Sequence, residues 1–388
     1  MLERCLAGDP PAVLPPELLE ESCAAALFSV VVEGLADRFE PALVDIYVRL
    51  FSQAIAETAG EFDAAALEAR YRRVQSVRAV TGEPGSVFVL SRVTLGADVA
   101  ITSVLLNAAK RRFPRARIFF VGPQKNYELF AGDPRLEHAS VAYQRGSLRS
   151  RLAVRSELRA LFGSADALVL DPDSRLTQLG LLPIGPEDRY HLFESRAYGG
   201  SGCQSLPELA AAWAAETLQV HDARPYVALR ALPRPQGVTV SLGVGENPAK
   251  RLADPFEEKL LALLAATGLP LTIDKGAGGE EAARVENACR RAGVRAAFWD
   301  GSFAGFAALI AASRLYVGYD SAGQHVAAAA GVPLISIFTG FPVPRMFDRW
   351  RPTTPSARVI RVDRPDVDAT LAQVRDALAA AHREPQLE

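Results

Sequence analysis

The chain of 388 residues has little cysteine: four residues (Cys5, Cys23, Cys203, Cys289) and no Cys-x-x-Cys pair. This excludes a paired-thiolate metal site and points to idle or buried thiols in a reducing compartment. Net charge is also small, since 43 Lys+Arg against 45 Asp+Glu leave −2. A nucleic-acid binder would carry a strongly basic face, so that class is set aside. Long apolar runs are missing as well. Cys23 to Val32 stops at Glu33, and Val326 to Phe338 is broken by Gly331 and Pro333, so neither spans a bilayer. Met1 to Pro11 lacks a basic start followed by an apolar core, and no secretory signal is expected. There is no Gly-x-Ser-x-Gly elbow, no His-Glu-x-x-His, and no Gly-x-Gly-x-x-Gly after any first strand. What remains is 49% hydrophobic and 23% charged, the mix of a well-buried globular protein. The expectation is a soluble cytoplasmic protein of two domains plus an extension.

Three regions separate along the chain. Residues 1–82 read as a helical extension. After Pro41, a favourable first-turn residue, Leu43, Ile46, Tyr47, Leu50 and Phe51 recur at helical spacing on one face. The pattern suits packing or oligomerisation rather than chemistry. Residues 83–232 alternate short β-rich runs (Val87 to Leu90, Arg117 to Val121, Ala167 to Leu170) with amphipathic stretches (Ile101 to Phe113, Leu148 to Phe162). This is the order of βαβ units in a parallel sheet. A Pro-rich joint at Ala231 to Pro235 follows, and the rhythm restarts across residues 233–388. Strands are expected at Val238 to Leu242, Leu271 to Ile273, Leu315 to Tyr319 and Leu334 to Phe338. Asp254, Pro255 and Glu257 have the form of a helix start with a cap, a first-turn proline and a capping-box glutamate. The reading is an α/β protein of two Rossmann-like halves, with ligands at the carboxyl ends of strands.

The most informative stretch is Tyr316 to Pro333. A buried strand ends at Asp320, and Ser321, Ala322 and Gly323 open a helix at once. Free N–H groups and the positive dipole end of such a helix suit an anion, and small residues let a diphosphate approach the backbone. Asp320 is placed to accept from sugar hydroxyls. On spacing alone an ordinary Asp/Ser-capped helix fits equally well.

These residues resemble a known family. Asp320-Ser321-x-x-x-His325-x-Ala-Ala-Ala, then Gly331-x-Pro333 and an apolar strand, is similar to the nucleotide-binding motif of glycosyltransferase family 9, the ADP-heptose:lipopolysaccharide heptosyltransferases. Gly243 to Arg251 resembles that family's Gly-x(n)-Pro-x-Lys-Arg loop. Thr94 to Ser103 resembles its Gly-Asp-x-x-x-Thr turn, here one residue longer as Gly96-Ala97-Asp98. The likeness covers roughly residues 85 to 352 and is most specific from 238 to 340. It implies a GT-B fold, two Rossmann-like domains facing across a cleft, the first for the acceptor and the second for the nucleotide-sugar donor. It implies inverting, metal-independent transfer, with Asp98, on the loop after the first-half strand, as general base; a helix N-cap is the other reading of Asp98. Lys250 and the helix N-terminus at Ser321 to Gly323 would stabilise the leaving diphosphate. Glu280 is the nearest match to the family's ribose-binding glutamate, with Glu281 beside it as the alternative. His325 either reaches a phosphate or only packs. Ala322 stands where the family has glycine, which requires ordinary backbone angles there.

No metal site and no cofactor are expected, the nucleotide-diphosphate sugar being a substrate. The Asp171-Pro172-Asp173 form and Arg175 read as structural before they read as metal or acceptor ligands. The expected partners are a nucleotide-sugar donor and a saccharide, lipid-linked or protein acceptor, with no nucleic acid. Residues 1–82 are the candidate surface for homo-oligomerisation. By analogy the location is cytoplasmic, at or near the inner face of the membrane. Two other readings stand beside this one: a scaffold that kept the fold and lost the chemistry, and a nucleotide-sugar epimerase or hydrolase. A nicotinamide-dependent enzyme is disfavoured by the missing fingerprint.

Overall fold

The computed structural model describes residues 1–163, 166–230, 236–245, 247–276 and 278–381. The chain forms two compact units, Met1–Pro225 and Tyr226–Glu388. The Pro-rich joint Ala231 to Pro235 lies outside the described residues, as does Glu246 of the lysine loop.

In the first unit, β1 (Ser86–Leu90), β2 (Arg117–Gly122), β3 (Leu136–Ser140), β4 (Ala167–Asp171) and β5 (Tyr190–Leu192) form a parallel sheet in the order β3-β2-β1-β4-β5. β1, β2 and β4 are built on short apolar runs, and β4 is buried throughout, as expected of parallel strands covered on both faces. The chain reverses direction of strand addition between β1 and β4, which makes the topological switch point.

Residues 1–82 are helical, as their spacing predicts, with the longest helix at Pro41–Ala59 and Pro41 in its first turn. Leu43, Tyr47, Leu50 and Phe51 are buried, and Ile46 partly so. This segment shares the unit's core. Leu27, Phe28, Val48 and Phe51 belong to one apolar cluster with Leu90, Val121, Val169 and Leu192 of the sheet. Four of its polar contacts lie at the loops following β4 and β5. Tyr47 Oη donates to the Gln178 carbonyl at 2.9 Å, and Arg70 donates to the Gly180 carbonyl at 2.8 Å. Arg175 pairs with Glu33 at 3.1 Å and Arg196 with Asp37 at 3.3 Å. Arg175 is thus engaged within its own unit.

The second unit holds β6 (Gln236–Ser241), β7 (Leu271–Asp274), β8 (Ala297–Trp299), β9 (Ser313–Tyr319), β10 (Leu334–Thr339) and β11 (Ala357–Val362). All pairs are parallel, in the order β11-β10-β9-β6-β7-β8. This is the doubly wound order of a dinucleotide-binding sheet, with its switch point between β6 and β9. The helix expected to start at Asp254 departs from the prediction. It runs Phe256–Ala265 with Pro255 at the N-cap and no capping box. Asp254 pairs with Arg251 instead, and Glu257 is buried between Arg251 (3.1 Å) and Arg284. Two guanidinium groups attract a buried carboxylate more strongly than one backbone N–H does. No helix among the described residues is long and apolar enough to cross a membrane.

Candidate nucleotide-diphosphate site

The loops leaving β6 and β9 carry the residues expected to bind a donor, and the switch point brings them together. After β6, Asn247 accepts a hydrogen bond from Ala249 N–H and caps a short 3₁₀ turn, Pro248–Lys250. That turn delivers Lys250, whose Nζ lies 2.6 Å from Asp320 Oδ2 at the end of β9. Asp320 is nearly buried, whereas the Lys250 side chain keeps 20% of its surface exposed. A cation therefore stands partly open at a switch point, neutralised on its inner side by a buried carboxylate.

Ser321 follows as N-cap of the helix Ala322–Ala329 and makes no side-chain cap bond. The first-turn N–H groups are thus left without the side-chain acceptor that an ordinary Ser cap supplies. Ala322 has ordinary backbone angles, so the glycine it replaces is not needed for conformation there. Gly323 is required for space. A Cβ on it would lie 2.2 Å from the Tyr316 hydroxyl. Gly340, at φ +70° after β10, plays a similar part: a Cβ there would fall 2.2 Å from the Ala249 carbonyl, against the turn that carries Lys250.

His325 is buried, with its ring edge-on to Trp350 at 5.7 Å. Burial pushes its pKa down to about 4, with Lys250 adding to the effect and Asp320 opposing it. A neutral ring offers a phosphate a hydrogen bond from its N–H and no charge. The two glutamates after β7 separate clearly. Glu281 accepts from Val244 N–H at 3.2 Å and so ties the lysine loop to the helix Gly279–Ala292. Glu280 is exposed in that helix's first turn.

Asp98 belongs to the first unit. It was expected on a loop, and it lies instead inside a helical stretch, in a π-type turn over Asp98–Thr102. The carboxylate is fully buried and saturated. Oδ1 accepts from Arg92 N–H and Thr102 Oγ1, both at 2.7 Å. Oδ2 accepts from Ser91 Oγ at 2.7 Å and Asn126 Nδ2 at 2.6 Å. Burial raises its pKa against these four bonds. The group holds the turn after β1, where the β-branched Val93 sits at φ +62°, a strained angle for such a side chain.

The Asp171-Pro172-Asp173 carboxylates are engaged internally. Asp171 accepts from Ser174 N–H, Thr177 and Tyr190, and Asp173 from Ser195 and Arg196. No cluster of metal-ligating side chains occurs among the described residues. Tyr316, Gln324 and Gly340 escaped the sequence reading. Gln324 alone had a visible signal, a polar side chain inside an apolar helix.

The sequence model of glycosyltransferase family 9 (heptosyltransferase) matches residues 245–373, which hold Lys250, the Asp320 motif and β10. No curated protein matches the sequence. In fold the chain is similar to E. coli ADP-heptose LPS heptosyltransferase II, 19% identical, with 76% of this chain and 98% of that one covered at a TM-score of 0.56. It is similar to E. coli heptosyltransferase WaaC solved with ADP-2-deoxy-2-fluoro heptose, 17% identical, covering 77% and 100% at 0.57. A glycosyl transferase family 9 protein from Veillonella parvula is 13% identical over 78% and 91%, also at 0.57. The fold shared with these structures is the GT-B fold. Residues 245–373 of the second unit match the glycosyltransferase family 9 model.

Proposed function

We propose that the protein transfers a sugar from a nucleoside-diphosphate sugar to a hydroxyl acceptor, with inversion and without a metal. The observation that carries this reading is Lys250, partly open and 2.6 Å from Asp320, beside a helix N-terminus without a side-chain cap at the switch point of the family 9 domain. In the proposed mechanism Lys250 and the N–H groups of the Ser321 to Gly323 turn take the charge that develops on the departing diphosphate. Glu280 holds the ribose, while Glu281 keeps the lysine loop in place. Asp98 takes the acceptor's proton. Its raised pKa makes it a stronger base than an exposed carboxylate. For that step the acceptor hydroxyl replaces Asn126 or Ser91 as one of its donors.

The similar structures carry ADP and an ADP-heptose analogue, so ADP-heptose is the first donor to try. The acceptor, whether saccharide, lipid-linked or protein, and a location at the inner face of the membrane remain part of the proposal. The scaffold reading is favoured by one feature alone, the saturated state of Asp98. The experiment is release of nucleoside diphosphate from a donor with and without candidate acceptors, with the product's anomeric configuration read by NMR. Acceptor-dependent release with an inverted product supports the mechanism. Retention refutes it, and binding without turnover favours the scaffold.

A further inference from the structure

We propose that Gln324 is a positioning residue of the donor site, holding Asp320 in the orientation that pairs with Lys250. The inference deepens the donor-site reading and rests on it. Ser321-Ala322-Gly323-Gln324 has the sequence of a capping box, in which the glutamine side chain would return to the N-cap N–H. No capping box forms. Gln324 Nε2 donates to Asp320 Oδ1, and its Oε1 accepts from Ser336 Oγ on β10. Gln324 and Ser336 are fully buried, and Asp320 nearly so. Asp320 is thus gripped on both oxygens, by a neutral donor on Oδ1 and by the Lys250 ammonium on Oδ2 at 2.6 Å. A buried carboxylate oxygen left without a donor is costly, and the group would turn to find one. Turning it would carry Lys250 away from the helix N-terminus. The amide suits this place because it donates without adding charge, whereas a glutamate would set two carboxylates together.

The charged and titratable groups around this pair are few. Lys250 faces it from the 3₁₀ turn after β6, and His325 lies beside it on the same helix, 3.4 Å from Gln324 Nε2. Tyr316 on β9 feels both Asp320 and Asp274, at the end of β7. His325 is neutral above about pH 4 and Lys250 is already paired, so neither replaces the glutamine's donor.

The test compares Gln324→Glu and Gln324→Leu with wild type, each at pH 5.5 and 8.5. ADP affinity is measured by calorimetry and melting temperature without ligand. Two carboxyl groups in contact must share a proton. At pH 5.5 the introduced carboxyl is protonated and donates as the glutamine did, and at pH 8.5 the two groups repel. The expected result for Q324E is ADP affinity near wild type at pH 5.5 and at least tenfold weaker than wild type at pH 8.5, roughly 1.4 kcal/mol. Its melting temperature falls over the same interval, and adding Asp320→Asn removes that fall. Q324L is weaker than wild type by a similar factor at both pH values. Ser336→Ala, a milder change, shows a partial loss without pH dependence. Parallel behaviour of Q324E and wild type in both measurements overturns the proposal. A wild type that binds no ADP, with the pH-dependent melting still present and removed by Asp320→Asn, supports the Gln324–Asp320 contact and refutes the donor-site reading instead.

Discussion

Replacing Lys250 by alanine tests the donor site most sharply. The ammonium lies 2.6 Å from Asp320 Oδ2 with 20% of the side chain exposed, so it can face a ligand while keeping its inner partner. One hydrogen bond from this cation to a diphosphate oxygen is worth about 1.5–3 kcal/mol, which makes the loss of ADP affinity about 10- to 150-fold. The figure is a net value, because the long-range attraction is screened at the open side of the residue. Calorimetric titration at fixed ionic strength reads it directly. The salt dependence of binding should also flatten in the variant, since one cation–phosphate contact is gone. A competing explanation is that Lys250 only neutralises Asp320. In that case the double change Lys250→Met with Asp320→Asn would restore affinity, because the buried charge and its partner leave together. The account predicts that it does not. A dissociation constant for Lys250→Ala within twofold of wild type removes the residue from the site and refutes the reasoning.

Other outcomes follow from the same geometry. Asp98→Asn should abolish transfer while leaving ADP affinity within about twofold, and a variant that turns over like wild type removes the base assignment. Gly323→Ala places a Cβ 2.2 Å from the Tyr316 hydroxyl and should cost about 1–3 kcal/mol of stability or binding, partly recovered by adding Tyr316→Phe; a silent G323A would contradict that contact. Glu194 is buried in the first unit, and its pKa is raised from 4.5 to about 8, mainly by burial and then by Asp173. A carboxyl with a raised folded pKa stabilises below its unfolded value and loses that contribution as pH rises through the folded one. The melting temperature should therefore fall between about pH 4.5 and 8 because of this group, and Glu194→Gln should flatten that part of the profile. An unchanged slope in the variant would show that Glu194 is not the group responsible.

Much of the architecture was legible because apolar runs bounded by Gly, Pro and Asp mark the strands. The runs Val87 to Leu90, Arg117 to Val121 and Leu334 to Phe338 became β1, β2 and β10 with shifts of a residue at their ends. The strand-to-helix turn at Asp320 to Gly323 was legible because a strand tip, small residues and a helix stand next to one another in sequence. Local patterns failed where a long-range partner was stronger. Asp254 and Glu257 looked like a helix cap, but Arg251 and Arg284 bind them, and Arg284 lies 27 residues beyond Glu257. An ordinary Asp/Ser cap fitted the same spacing at Asp320 and Ser321, but Ser321 makes no side-chain cap bond and Asp320 is held by Lys250 and Gln324 instead. The extension read as an appendage because helical spacing shows an apolar face without showing what covers it. Here Phe28 and Phe51 sit in the same core as β4 and β5. Asp98 was found by motif, but its burial depends on Ser91, Thr102 and Asn126, and Asn126 is 28 residues away.

Nucleoside-diphosphate binding through Lys250 at the switch point of the second unit is the step on which the proposed function depends. The most direct measurement is the melting temperature with ADP, GDP, UDP, CMP, dTDP and NAD, each with and without magnesium, for wild type and Lys250→Ala. A ligand that binds only the folded state raises it by mass action, so no acceptor need be known. The expected result is a magnesium-independent rise with a nucleoside diphosphate, lost or sharply reduced in Lys250→Ala. Silence across all six ligands from folded wild type, or a rise that Lys250→Ala keeps in full, would contradict it.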